Sequence, residues 1–204
     1  MQDKSSQICC YLLGVEDGQR VLDVCAAPGG KTMTLSQYAG KNGEIVSCDI
    51  YNHKLKLIDD TAKRLGLENV KVLLRDGAND KTDIGSFDRI LCDVPCSGFG
   101  VTAKKPEIKY KSQAEIKDLP TTAMKILENS ARLLKKGGRL VYSTCTLLPE
   151  ENRDVCNAFL LNHSEFKSVA IDENISGFRD GDYLTIMPYD YDCDDFFVAV
   201  FERS

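Results

Sequence analysis

Short apolar runs alternate with amphipathic segments along nearly the whole chain, and this alternation limits the available folds more than any other feature. Residues 20–24 (RVLDV), 44–49 (EIVSCD), 70–74 (VKVLL), 87–93 (FDRILCD) and 139–143 (RLVYS) are rich in Val, Ile and Leu. Continuous apolar runs of this length suit strands buried on both faces of a parallel sheet. Weaker strand signals at 167–171 and 196–201 bring the number to seven. Between them, residues 52–65 place Leu55, Ile58, Ala62 and Leu65 on one stripe, with Asn52 and Gly66 as start and stop. Residues 121–134 repeat the pattern with Ala123, Leu127, Ala131 and Leu134, and Gly137-Gly138 ends it. A third helix is predicted from Pro149, with Val155, Ala158 and Phe159 facing inward. Strand–helix alternation of this kind predicts a doubly wound, mostly parallel α/β sheet. At 204 residues, 43% of them hydrophobic, the chain is the size of one domain.

On such sheets ligands bind beyond the carboxyl ends of the strands, so the residues that follow each strand deserve the closest reading. After the first strand comes the turn Cys25, Ala26, Ala27, Pro28, Gly29, Gly30 and Lys31, whose glycines let backbone approach a ligand at the start of a helix. Gly30-Lys31-Thr32 resembles the end of a phosphate-binding P-loop. That motif needs a glycine five positions earlier, where this chain has Cys25, so an NTPase is disfavoured. The alternative is a nucleoside-bearing cofactor without a triphosphate. Asp49 ends the second strand, where a carboxylate can accept from both ribose hydroxyls. Asp76 follows the third strand, placed to accept from an adenine amino group, and Asp93 ends the fourth.

Two cysteines follow adjacent central strands, Cys96 in DVPCSGFG and Cys145 in STCTLLPEEN. Either alone reads as core filler; together they face one cleft. The other cysteines are scattered, and neither a disulfide framework nor a zinc site fits their spacing. Asp190, Asp192 and Asp194 imitate the start of a calcium loop, but Asp195 stands where its glycine belongs and Phe201 where its last ligand belongs. No metal is expected.

The net charge of −5 is unevenly spread: residues 104–111 carry a local +3, and residues 172–195 a local −7. Lys104, Lys105 and Lys109, beside Tyr110, are candidates for contact with a nucleic acid. No run of eighteen apolar residues occurs and no signal-peptide pattern opens the chain, so a cytoplasmic protein is expected.

The strings DVCAAPGGKT, DVPCSGFG and STCTLLPEEN, in this order, resemble the RNA cytosine-5 methyltransferases of the Sun/Fmu group and their Nol1/Nop2 relatives. The likeness runs from Gln2 to the C-terminus, and KPEIKY at 105–110 is most similar to the bacterial type that acts on small-subunit ribosomal RNA. The resemblance implies a Rossmann-like class I fold that binds S-adenosyl-L-methionine. It implies that residues 25–31, Asp49, Asp76 and Asp93 line the cofactor site. It also implies that Cys145 attacks C6 of cytosine, that Cys96 helps release the product, and that Asp93 contacts the base. Residue chemistry alone leaves the two thiols unranked, since DNA cytosine-5 methyltransferases use the cysteine after strand four. A DNA substrate and a non-catalytic cofactor- and RNA-binding assembly factor remain as alternatives. Residues 1–204 are expected to form one monomeric catalytic domain, the C-terminal part of a longer protein whose upstream RNA-binding region is absent here.

Overall fold

A computed structural model describes residues 2–204. Five parallel strands form the middle of the molecule: β1 (Arg20–Asp23), β2 (Glu44–Asp49), β3 (Val70–Leu74), β4 (Phe87–Asp93) and β5 (Leu134–Thr144). They lie in the order β3-β2-β1-β4-β5, so the chain reverses direction across the sheet between β1 and β4. β9 (Phe196–Arg203) runs antiparallel to β5. β6 (Phe166–Ser168) and β8 (Tyr183–Ile186) pair with β9, and β7 (Phe178–Asp180) with β8. The sheet thus has nine strands where seven were predicted. The two extra strands are the β7–β8 hairpin, closed by Gly181, whose φ of +62° suits a tight turn. The parallel core and all seven expected strands are present.

Seven helices accompany them: α1 (Lys4–Leu13), α2 (Gly30–Ala39), α3 (Asn52–Arg64), α4 (Gln113–Ile116), α5 (Leu119–Ala131), α6 (Arg153–Asn162) and α7 (Pro188–Tyr191). Side chains alternate across the sheet. Leu22, Ile90, Leu140 and Tyr142 pack into one core with α5 and α6. Their neighbours Val21, Leu91 and Val141 face a second core under α1 and α2. Leu55, Ile58 and Ala62 of α3 form a third cluster with Ala26 and Met33. Each fully buried Val, Leu or Ile contributes about 1.5–3 kcal/mol.

α1 was not foreseen. Its boundaries are set by Asp3, whose carboxylate accepts from Ser5 N–H at 3.0 Å, and by Gly14 in the left-handed region. The predicted helix from Pro149 instead begins at Arg153, after a 3-10 turn over Pro149–Glu151. The register completes the frame: Asp93 lies opposite Ser143 and Thr144 opposite Phe197. β4 and β5 therefore finish level, and their following loops meet.

Candidate active site

Beyond the carboxyl ends of β1 to β5 lies a cleft of about 450 Å³. Cys25, Ala27, Asp49, Asp76, Asp93, Cys96 and Cys145 all line it, so seven of the twelve catalytic and cofactor candidates converge here. The remaining turn residues support it from outside. Ala26 is buried against α3, Pro28 is exposed, and Gly29 takes a φ of +105° that a side chain would strain. Gly30 and Lys31 open α2, where backbone N–H groups have no helical partner. Ile50, Tyr51, Lys54, Arg75, Thr122 and Ile126 also line the cleft and were not anticipated. Arg75 is 5% exposed and donates to the carbonyls of Thr82 (3.0 Å) and Asp80 (2.7 Å), which folds the loop after Asp76. No sequence pattern marks that role.

Asp49 accepts Tyr51 N–H at 2.9 Å through Oδ1. Its Oδ2 takes no hydrogen bond among the described residues. Asp76 accepts Ala78 N–H at 2.9 Å and the Asn79 amide at 2.7 Å, and the Asn79 bond foremost holds its carboxyl below the usual range. Gly77 presses against β1: a Cβ there would stand 2.8 Å from Val24 Cγ1.

At the end of β4, Asp93 accepts Lys31 Nζ at 2.6 Å and the Ser143 hydroxyl at 2.9 Å. Burial works against the Lys31 charge, but the Asp93 carboxylate foremost, together with Cys9 and Cys10, outweighs it and holds the ammonium above its ordinary value. Lys31 therefore serves Asp93.

The two thiols meet at 3.4 Å between sulfurs. Hydrogen bonding from Cys96 holds the Cys145 thiol below its ordinary value, with help from Lys31 and against burial and Asp93. Cys96 is pushed up by the same contact and by burial. Burial also raises the other seven: Cys9, Cys48 and Cys92 to about 12, Cys193 to about 11, and Cys10, Cys25 and Cys156 as well. The hydrogen bond between the two thiols thus lowers Cys145 and raises Cys96, which looked alike in sequence.

Asp23, beneath the turn, is fully buried and accepts the Thr32 hydroxyl at 2.7 Å, while its Oδ1 has no partner. Burial raises its carboxyl to about 7; Asp93 and Asp49 add to the rise, and Thr32 and Lys31 oppose it. An unfolded aspartic acid titrates near ~3.9, so the folded state binds this proton more tightly. Asp23 therefore favours the fold below that value, and the contribution is lost as pH rises through about 7. Asp23→Asn is expected to remove this slope, gaining up to a few kcal/mol on wild type between acid and neutral pH. Urea unfolding of both proteins across that range checks it; parallel stability curves would refute the assignment.

Lys104 does not stand free: its ammonium sits 2.7 Å from Asp3 and 2.9 Å from Asp194. Lys105 and Lys109 are exposed, and Tyr110 is 87% exposed.

A doubly wound sheet in this strand order, with an antiparallel strand beside β5 and carboxylates after β2 and β3, is the architecture of class I S-adenosylmethionine-dependent methyltransferases. Solved structures agree: that of PH0851 is similar with a TM-score of 0.94 and 32% identity, over 100% of this chain and 46% of that one. NSun6 from Pyrococcus horikoshii is similar with a TM-score of 0.87 and 27% identity, over 99% of this chain and 52% of that one. The chain belongs to the 16S rRNA methyltransferase RsmB/F family, whose model matches residues 10–202. It is 40% identical to the probable ribosomal RNA small subunit methyltransferase B of Bacillus subtilis (strain 168), over 100% of this chain and 47% of that protein. The chain thus spans about half the length of the curated relatives it matches.

Proposed function

We propose that this chain is the catalytic domain of an enzyme that transfers a methyl group from S-adenosylmethionine to C5 of a cytosine in RNA, with small-subunit ribosomal RNA as the substrate. The observation that carries this reading is the thiol pair, 3.4 Å apart, beside the cofactor cleft. The cleft suits the cofactor. Asp49 has a carboxylate oxygen to spare for a ribose, Asp76 can accept from an adenine amino group, and Gly77 lets the loop after Asp76 close onto Val24 at the cleft wall. Bound there, S-adenosylmethionine supplies an electrophilic methyl group.

The chain's own residues make the cytosine able to take it. C5 is a weak nucleophile until a thiolate adds at C6. Cys145 is the thiol held in the thiolate-favouring state, so it forms the sulfur–C6 bond and pushes electron density to C5. Asp93, held at 2.6 Å by the Lys31 ammonium, accepts from the cytosine amino group and fixes the ring. Once Cys145 is bonded to carbon it no longer bears negative charge beside Cys96. The larger of the two influences that hold the Cys96 thiol up is then gone, although burial remains. Cys96 gives its own proton to solvent and takes the C5 proton. The electrons of the C5–H bond restore the C5–C6 double bond as the Cys145–C6 bond breaks and returns its pair to Cys145. The base must be unstacked to reach the cleft, which favours single-stranded or loop cytosines.

The test is incubation with labelled S-adenosylmethionine and ribosomal RNA, followed by nucleoside analysis. Label in 5-methylcytidine supports the reading; label in another nucleoside overturns it. A version extended at the N-terminus to the length of its relatives is expected to turn over faster, because we place the main RNA grip outside this domain. On this domain, Lys105 and Lys109 are the exposed lysines suited to phosphate. Replacing both with alanine is expected to weaken RNA binding and to flatten its dependence on salt by about 1.4 in log–log slope. Lys104→Ala is expected to leave that slope unchanged, since its charge is already paired. Filter binding at several salt concentrations separates the two outcomes.

A further inference from the structure

Cys145 is gripped by its backbone as well as by its sulfur. Its N–H donates to Cys96 Sγ at 3.3 Å, and its carbonyl accepts Gly100 N–H at 2.9 Å. Both partners belong to the loop that leaves β4 after Asp93. The Gly100 carbonyl in turn accepts Asp195 N–H at 3.1 Å, one residue before β9 begins. Backbone from three parts of the chain is therefore layered, with Gly100 in the middle.

No side chain fits there. A Cβ on Gly100 would lie 2.6 Å from the Asp195 carbonyl oxygen, 2.8 Å from Asp195 Cβ and 2.9 Å from the Cys145 carbonyl oxygen. Two of these are backbone atoms at the ends of central strands, which cannot rotate aside as a side-chain tip can. The loop cannot slide away as a unit either. Ser97 N–H donates to Glu151 Oε2 at 2.8 Å, Ser97 Oγ meets Thr146 Oγ1 at 2.7 Å, and Lys111 Nζ donates to the Ser97 carbonyl at 2.7 Å. Glu151 is 2% exposed, so this stitching is internal.

We propose that Gly100 is a positioning residue for Cys145. By letting the Cys96 loop close onto the Cys145 carbonyl, it sets the separation at which Cys96 hydrogen-bonds the Cys145 sulfur. Its catalytic consequence rests on the reading of Cys145 as nucleophile; the thiol geometry does not. A displacement of about 1 Å at a reacting group costs on the order of 100-fold in rate.

The test compares Gly100→Ala and Cys96→Ala with wild type. Iodoacetamide alkylation of Cys145 is followed by peptide mass mapping across pH, beside S-adenosylmethionine affinity by calorimetry and trapping by RNA containing 5-fluorocytosine. In Gly100→Ala the affinity is expected to be unchanged. The alkylation midpoint should move up in both variants, and trapping in Gly100→Ala should slow by about 100-fold. A wild-type midpoint in folded Gly100→Ala overturns the proposal. If that variant does not fold, an amide-to-ester replacement at Gly100 deletes only the donor to the Cys145 carbonyl. An unmoved midpoint there overturns it equally. Failure of wild type to trap any cytosine counts against the proposed function, while the alkylation comparison still decides the role of Gly100.

Discussion

Cys145→Ala is expected to abolish both the covalent complex with 5-fluorocytosine RNA and methyl transfer to ordinary RNA, by about 10⁴-fold or more. Loss on this scale is characteristic of a group that forms a bond to the substrate. In the function proposed above, Cys145 is the thiol that adds, with Cys96 hydrogen-bonded to its sulfur. Cys96→Ala should behave differently. With Cys145 intact the adduct still forms, but the group assigned to take the C5 proton is gone. Covalent complex should then accumulate even on unfluorinated RNA. Denaturing gels of the two variants with both RNAs give the answer. An adduct lost only in Cys96→Ala would reverse the assignment and favour the arrangement of the DNA enzymes.

The second large effect is expected at Lys31. Its ammonium is 13% exposed and its Asp93 partner 26%, so the pair is mostly out of water. Removing one member of such a pair leaves a charge without its counter-charge, at a cost of about 3–5 kcal/mol. Lys31→Met keeps the length and apolar stem of the side chain and deletes only the charge. Stability from urea unfolding should fall by about 3 kcal/mol. Trapping of 5-fluorocytosine should slow as well, because Asp93 loses the contact that orients it. A Lys31→Met protein as stable as wild type would show that the 2.6 Å contact does little for the fold.

Comparison of these sites with the sequence shows where pattern reading works. β1, β2, β4 and β5 were legible because each is an apolar run largely buried in the sheet, and β3, an edge strand with no buried residue, because of its Val and Leu content. Ligand-facing residues follow strand ends by geometry alone. Cys96, Cys145 and Asp93 could therefore be brought to one cleft without coordinates. β7 and β8 were not legible: at three and four residues they are too short for any periodicity, and they lie in an acidic stretch. α1 carried its signals openly in Asp3 and Gly14, but its polar first turn hid the apolar face formed by Cys9, Cys10, Leu12 and Leu13. The helix expected at Pro149 starts four residues late because Glu151 and Asn152 are used elsewhere. Glu151 holds Ser97, while Asn152 accepts from Thr144 at 2.6 Å and donates to the Thr146 carbonyl at 2.9 Å. Its φ of −112° and ψ of −103° interrupt the helix. The ion pairs that set Lys104 apart from Lys105 and Lys109 were not legible because its partners, Asp3 and Asp194, lie 101 and 90 residues away. Contacts at that range leave no local trace. The same holds for the ranking of the thiols, which depends on a bond across 49 residues.

Nine copies of one functional group, differing only in surroundings, make this chain a natural competition experiment. Eight of the thiols are raised and Cys145 alone is lowered. Cys193, another partly exposed thiol, is pushed up by burial to about 11. A lowered thiol holds more thiolate at neutral pH than a raised one, so Cys145 is favoured over that rival. A thiol-directed dye or cross-linker applied in limiting amount is therefore expected to mark Cys145 first in the unmodified protein, with no need to engineer the other cysteines away.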